Sequence, residues 1–141
     1  MPDAEAATEL SRPEETHGAI RPFVWWLGLG TSFLLGGSLS ALAYAEGIPT
    51  TLDGIPQIDK MLHVTIGGML AFFLDGVLGH RSLGSKLRVS LAGVLVLIPA
   101  GVEEFLQRYS PNRSSSIWDF AADVVGVSVG VWLSRRLDQR R

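Results

Sequence analysis

The first strong pattern along the chain is an uncharged run from Phe23 to Ala45. An α-helix rises about 1.5 Å per residue, so about 20 apolar residues cross the hydrocarbon core of a bilayer. Three more apolar segments follow, at 61–79, 89–102 and 124–133, and the last two must extend into polar residues to cross. The pattern predicts an all-α membrane protein, a bundle of four transmembrane helices at about 23–45, 60–79, 87–108 and 117–135.

The segment before the first helix has a different character. Residues 1–21 are acidic and have little apolar surface to bury, which predicts a disordered tail ahead of a transmembrane domain at 22–141. The Ala-x-Ala pattern that ends at Ala45 offers an alternative, cleavage as a signal peptide. The apolar run is longer than an ordinary signal, so we expect it to be retained.

The basic residues predict the orientation of the bundle. Lys and Arg number 12, and nine of them lie in the two tails and in the loop after the second helix. The other three are Lys60, Arg108 and Arg113. The positive-inside rule therefore predicts that both termini are cytoplasmic. Near the inner side, Asp75 is expected to pair with Arg81 or Lys86.

Composition excludes several classes of function. The chain has no cysteine, so disulfides and thiolate metal sites are excluded. The net charge is −2 and no basic run is present, which gives no support for a nucleic-acid partner. We expect the lipid bilayer as a partner and no cofactor; the oligomeric state is left open.

The polar residues of the helices are predicted to gather near the outer surface. These residues are Asp59, Lys60, His63, Glu104, Gln107, Arg113, Asp119 and Asp123. Asp59 is expected to cap the second helix. Counting the helical rise from each helix end places His63, Glu104 and Asp119 in one layer, with Asp123 one turn deeper.

The last helix presents acids and glycines on one stripe. Asp119, Asp123, Gly126 and Gly130 follow one another at helical spacing, and Gly-x-x-x-Gly is a surface on which another helix packs closely. Ser116 and Asp119 resemble a capping box. The two acids are therefore expected to face the interior of the bundle, where other polar groups can pair with them.

Three short motifs of the chain, taken together, resemble those of the VanZ-like family of bacterial membrane proteins. The motifs are "DKMLH" at 59–63, "EFLQ" at 104–107 and "PNRSSSIWDFAADVVG" at 111–126. The resemblance covers about residues 22–135 and implies a bacterial inner-membrane protein of the cell envelope, because the namesake is associated with resistance to teicoplanin. Asp123 stands where the family usually has Asn. If that amide donates a hydrogen bond in the family, an aspartate here must instead be protonated or have an added cationic partner.

The favoured function is an outward-facing pocket that binds a lipid head group, a peptidoglycan fragment or a glycopeptide. Lys60 and Arg113 would bind an anionic group on such a ligand, and Glu104 and Asp119 would orient them. A purely structural network, in which the acids pair with the three outer bases, is the alternative that involves no ligand.

Two further alternatives involve chemistry or transport. A membrane-embedded enzyme acting on a lipid-linked or phosphate-containing substrate would use His63 as general acid or base. Alternatively it would bind a divalent cation through Asp59, His63, Glu104 and Asp119. Catalysis is less favoured than binding, because a histidine inside a helix usually has a structural hydrogen bond. Ion transport through Glu104 and Asp123 is disfavoured because no polar path continues to the inner side.

Overall fold

The computed structural model describes residues 22–45, 57–84, 89–109 and 116–138. Four helices contain most of these residues: α1 (Pro22–Ala45), α2 (Ile58–Val77), α3 (Leu91–Gln107) and α4 (Ile117–Asp138). Two short strands, β1 (Ser82–Leu83) and β2 (Val89–Ser90), pair antiparallel between α2 and α3. The predicted helical character is confirmed, and the strand pair is a feature that the hydrophobic pattern did not predict.

Three of the helices, α1, α2 and α4, are long and apolar enough to cross a membrane. The third helix, α3, has 17 residues, which corresponds to about 25 Å of rise. Large apolar side chains such as Leu34 and Trp118 are more than two-thirds exposed. Because an exposed apolar surface is suited to lipid and not to water, this surface agrees with a membrane protein.

The closest helix pair is α2 with α4, and glycine makes the approach possible. A Cβ atom at Gly126 would overlap the carbonyl oxygen of Val64, and a Cβ atom at Gly130 would overlap that of Gly68. The stripe of small residues on α4 therefore lies directly against the backbone of α2. This contact places the acids of α4 beside the polar residues of α2.

The first helix packs on the opposite side of α2 through aromatic residues. Trp25 lies against Gly76 and stacks at an angle on Phe72, with 5.2 Å between the ring centroids. Phe73 fills the space beside Gly28. Because α1 and α4 occupy different faces of α2, the second helix is the centre of the bundle.

The beginnings of α2 and α3 differ from the predicted ones. Gln57, in a left-handed conformation with φ 64°, precedes α2, so Asp59 lies in the first turn and is not the N-cap. The helix α3 begins at Leu91, not near residue 87, because Val89 and Ser90 pair with β1. The Ser90 hydroxyl accepts a hydrogen bond from the backbone N–H of Gly93 at 3.2 Å and caps α3.

Candidate functional site

A histidine–aspartate pair joins α2 to α4 near the first turns of both helices. Nδ1 of His63 lies 3.1 Å from Oδ2 of Asp123, and both side chains are largely buried. The other ring nitrogen, Nε2, lies 3.9 Å from Oδ1 of Asp59. His63 therefore gives Asp123 a side-chain partner on the neighbouring helix, a pairing that counting the helical rise did not predict.

The second interhelical pair on this face is Lys60 with Asp119. The Lys60 ammonium lies 3.5 Å from Oδ1 of Asp119, whose side chain is only 3% exposed. Asp59, His63 and Asp119 each have one atom that could bind a metal ion, and these three atoms lie within 4.8 Å of one another. These oxygens and the imidazole are the donor types that a divalent cation accepts, although the Lys60 charge beside Asp119 competes with such an ion.

Glu104 has a different position from the one expected. It accepts a hydrogen bond through Oε1 from the backbone N–H of Ser116, immediately before α4 begins, and it is 7% exposed. The Ser116 hydroxyl accepts from the N–H of Trp118 at 3.3 Å. Glu104 therefore takes the place that the capping-box motif assigned to Asp119, and its negative charge lies at the positive end of the α4 dipole.

The described residues also form an open cavity of about 560 Å³ between α1, α2 and α3, with Asp123 of α4 in its wall. Its polar lining includes Asp59, His63, Glu103, Gln107 and Asp123. The size falls within the range of ligand pockets, roughly 300–1,000 Å³. The Ser40 hydroxyl donates a 2.5 Å hydrogen bond to Oε1 of Glu103, which joins α1 to α3 beside this cavity.

Gln107 is the most unusual member of the lining. Its side chain is 1% exposed, yet neither its amide nitrogen nor its amide oxygen has a hydrogen-bond partner in the described part of the chain. A buried amide without partners costs about 1–3 kcal/mol. A ligand with both acceptor and donor atoms would remove that cost.

A second polar cluster lies at the opposite end of the bundle, around Asp75. The carboxylate of Asp75 is fully buried and lies 2.7 Å from Nδ1 of His80, 2.9 Å from Oγ of Ser90 and 3.3 Å from Nη2 of Arg135. Arg81 contributes its backbone, because its carbonyl accepts from the N–H of Leu91 at 3.0 Å. The expected pairing of Asp75 with Arg81 is therefore replaced by His80 and Arg135; Lys86 lies outside the described residues.

The structure brings most of the predicted polar residues together. Asp59, Lys60, His63, Asp119 and Asp123 form one group on α2 and α4. On α3, Gln107 lies on the cavity, and Glu104 lies at the start of α4. Arg113 lies outside the described residues. Ser40 was missed, because a single serine has no distinctive spacing, and Glu103 was expected only as one of the acids that pair with the three outer bases.

Comparison of the chain with protein-family models, with curated proteins and with solved structures finds no match.

Proposed function

We propose that this chain is a multi-pass protein of the bacterial cytoplasmic membrane whose outer polar pocket binds a cell-envelope ligand. In this proposal all four helices cross the membrane and both termini are cytoplasmic. The distribution of Lys and Arg supports the orientation. The motifs shared with the VanZ-like family support a bacterial envelope role and a contribution to glycopeptide or envelope-stress resistance.

The observation that carries the proposal is the buried amide of Gln107 on the cavity wall. A network that only held the outer loops together would gain nothing from an amide without partners. An apolar pocket with a few convergent polar groups is the usual form of a small-ligand site. The cavity, the unpartnered amide and the His63–Asp123 pair beside it together favour ligand binding over a purely structural network.

We expect Gln107→Leu to separate ligand binding from stability. Leucine keeps the approximate size of the side chain and removes no hydrogen bond within the described residues, so thermal stability stays the same or rises by about 1 kcal/mol. Protection against teicoplanin is expected to fall to the level found in cells that lack the protein. The measurements are the amount of protein in the membrane and the inhibitory concentration of teicoplanin for the same cells.

The matched control for this experiment is Phe105→Leu on the same helix, at a side chain that is 53% exposed. The control is expected to keep both membrane level and drug protection. Unchanged protection in a normally accumulating Gln107→Leu protein would refute a role for this pocket. A loss of the protein from the membrane would instead favour the structural network.

The proposed topology predicts labelling on opposite sides of the membrane before and after α3. Because the chain has no cysteine, Leu83→Cys and Tyr109→Cys each introduce a single thiol, at side chains that are 45% and 75% exposed. In intact spheroplasts, a membrane-impermeant maleimide should label the cysteine at position 109 and should reach the one at 83 only after permeabilisation. Labelling of both sites from one side would show that α3 does not cross, and the reverse pattern would overturn the orientation.

A membrane-embedded enzyme acting on a lipid-linked or phosphate-containing envelope substrate is the second candidate. The observation in its favour is the geometry of His63, whose Nδ1 contacts Asp123 while Nε2 faces Asp59. A carboxylate that orients a histidine in this way is typical of metal-binding and acid–base histidines. Binding of Mn²⁺ to the purified protein that His63→Ala abolishes would favour this candidate over binding alone.

A further inference from the structure

The cavity between α1, α2 and α3 is long and has two chemically different ends. Along α1 its lining runs from Leu29 to Tyr44, which corresponds to about 22 Å of helical rise. Along α2 it runs from Asp59 to Leu74. One leaflet of the hydrocarbon core is about 15 Å deep, half of the roughly 30 Å core. The cavity is therefore long enough for an acyl chain together with part of a polar headgroup.

The polarity of the walls changes along this length. The deep part is lined by apolar side chains: Leu29, Phe33, Ile66, Leu70, Leu74 and Leu95. The outer part contains Asp59, Glu103 and Gln107, together with the His63–Asp123 pair. Such a gradient, apolar below and hydrogen-bonding above, matches an amphiphile oriented like a lipid of the outer leaflet. A wholly polar ligand would leave the deep part of the cavity without a partner.

The charges at the polar end indicate the type of headgroup. The described lining includes the carboxylates of Asp59, Glu103 and Asp123, and His63, between Asp59 and Asp123, is its one basic side chain, since it includes no lysine or arginine. The Lys60 ammonium is directed to Asp119 and lies in a separate shallow groove beside Trp118. Carboxylates without a neighbouring lysine or arginine favour a cationic group. An anionic headgroup would be repelled at the same place.

We propose that this cavity binds a membrane lipid whose headgroup carries a primary ammonium and a phosphate. The acyl chain occupies the apolar part between α1, α2 and α3, and the ammonium donates hydrogen bonds to the carboxylates of Asp59 and Glu103. Neither amide atom of Gln107 has accessible surface in the structure, so its side chain turns toward the cavity when the lipid binds. The amide nitrogen then donates to a phosphate or ester oxygen, and the amide oxygen accepts from the ammonium. The inference rests on the proposed function, since it names the ligand class of the same pocket.

The test measures lipid binding to the purified full-length protein in detergent by native mass spectrometry. The probes are palmitoyl lysophosphatidylethanolamine and palmitoyl lysophosphatidylglycerol, which share the chain and differ in the headgroup. We expect one ethanolamine lipid per protein, at a concentration about tenfold lower than the glycerol lipid requires. The double variant Asp59→Asn, Glu103→Gln should remove this preference. Equal binding of the two lipids to the unmodified protein would overturn the headgroup assignment.

The acyl-chain part of the inference is tested by filling the cavity. Gly37 lines the cavity and has no neighbouring atom within 4 Å of a Cβ position, so Gly37→Leu adds a side chain there without a backbone clash. Gly30, on the same helix, is equally open and does not line the cavity, which makes Gly30→Leu the matched control. We expect Gly37→Leu to weaken binding at least about tenfold and Gly30→Leu to leave it unchanged.

The remaining outcomes separate this inference from the proposed function. If neither lipid binds while Gln107→Leu still abolishes drug protection, the lipid inference is wrong, and the result supports a pocket for another cell-envelope ligand. If the ethanolamine lipid binds as expected while Gln107→Leu leaves protection intact, the lipid site stands and the role in resistance is wrong. If Gly37→Leu changes only the oligomeric state, this face is an interface between copies and the lipid inference is wrong.

Discussion

Replacing Gly126 with leucine is expected to prevent the protein from accumulating in the membrane in a folded form. At this position a Cβ atom alone would overlap the carbonyl oxygen of Val64, which belongs to the backbone of α2. A backbone atom cannot rotate away as the end of a flexible side chain can. Leucine at position 126 would therefore push α4 away from α2 along the most extensive helix contact of the bundle.

The size of the expected loss in stability depends on the contacts that are broken when α4 moves away from α2. Overpacking a core costs about 1–3 kcal/mol where side chains can adjust, and more where the backbone itself must move. Separation of the helices would also pull Asp123 away from His63 and Asp119 away from Lys60. Since domain stability is only about 5–15 kcal/mol, the combined loss is enough to leave little folded protein.

The measurements are the membrane-inserted fraction and the thermal unfolding of the detergent-solubilised protein. Gly30→Leu is the control, because it makes the same chemical change at an open position on α1. Gly126→Ala should be impaired in the same direction and to a smaller extent. Normal accumulation and an unchanged melting temperature for Gly126→Leu would show that α2 and α4 do not approach each other as closely as in this structure.

The glycine stripe illustrates what could be predicted from the sequence. The spacing of Asp119, Asp123, Gly126 and Gly130 places them on one face of a helix regardless of the surrounding fold. That face was therefore expected to pack closely against another helix. The spacing does not identify the partner helix, because any neighbouring helix could pack against a stripe of small residues. The pairing of Gly126 with Val64 is a property of the tertiary arrangement.

The polar site shows a similar limit, because the sequence predicts how deep a side chain lies in the bundle but not the direction in which it points. Counting residues from a helix end estimates how deep a side chain lies, and on this basis Glu104 was grouped with His63 and Asp119. Depth carries no information about which way a helix is rotated. In the structure Glu104 is directed to the N–H of Ser116, whereas Asp59, His63 and Asp119, the other three residues of the expected cation set, have ligand atoms close together. Gln57 has a left-handed conformation, and α2 begins at the next residue, Ile58. No feature of the sequence predicts this conformation.

The Asp75 cluster was not foreseen because its members come from distant parts of the chain. Gly79, at φ 61°, ends α2 in a motif where the N–H of His80 donates to the carbonyl of Asp75 at 2.8 Å. This turn directs the His80 ring back to the Asp75 carboxylate. Arg135 arrives from α4, sixty positions later in the chain. His80 and Arg81 both lie close to position 75 in the sequence, but spacing alone does not show which of them turns back to Asp75, and it gives no sign of Arg135.

Replacing Asp75 with alanine is the second change expected to have a large effect. The carboxylate is fully buried and accepts from Ser90 at 2.9 Å, while His80 and Arg135 lie 2.7 and 3.3 Å away. Its removal leaves Arg135, whose side chain is 26% exposed, without its carboxylate partner. Breaking a buried pair from one side costs about 3–5 kcal/mol, so we expect a large fall in melting temperature.

Two comparisons show whether the cost arises from the orphaned Arg135 charge. Asp138→Ala removes a carboxylate that is 61% exposed and 3.6 Å from the His80 ring, and an exposed pair of this kind contributes about 0–1 kcal/mol. The double variant Asp75→Leu, Arg135→Leu removes both charges and should be more stable than Asp75→Ala, because a buried pair replaced by apolar residues loses little. If the double variant is as unstable as the single one, the hydrogen bonds from Ser90 and His80, and not the Arg135 pair, hold this end of the bundle together.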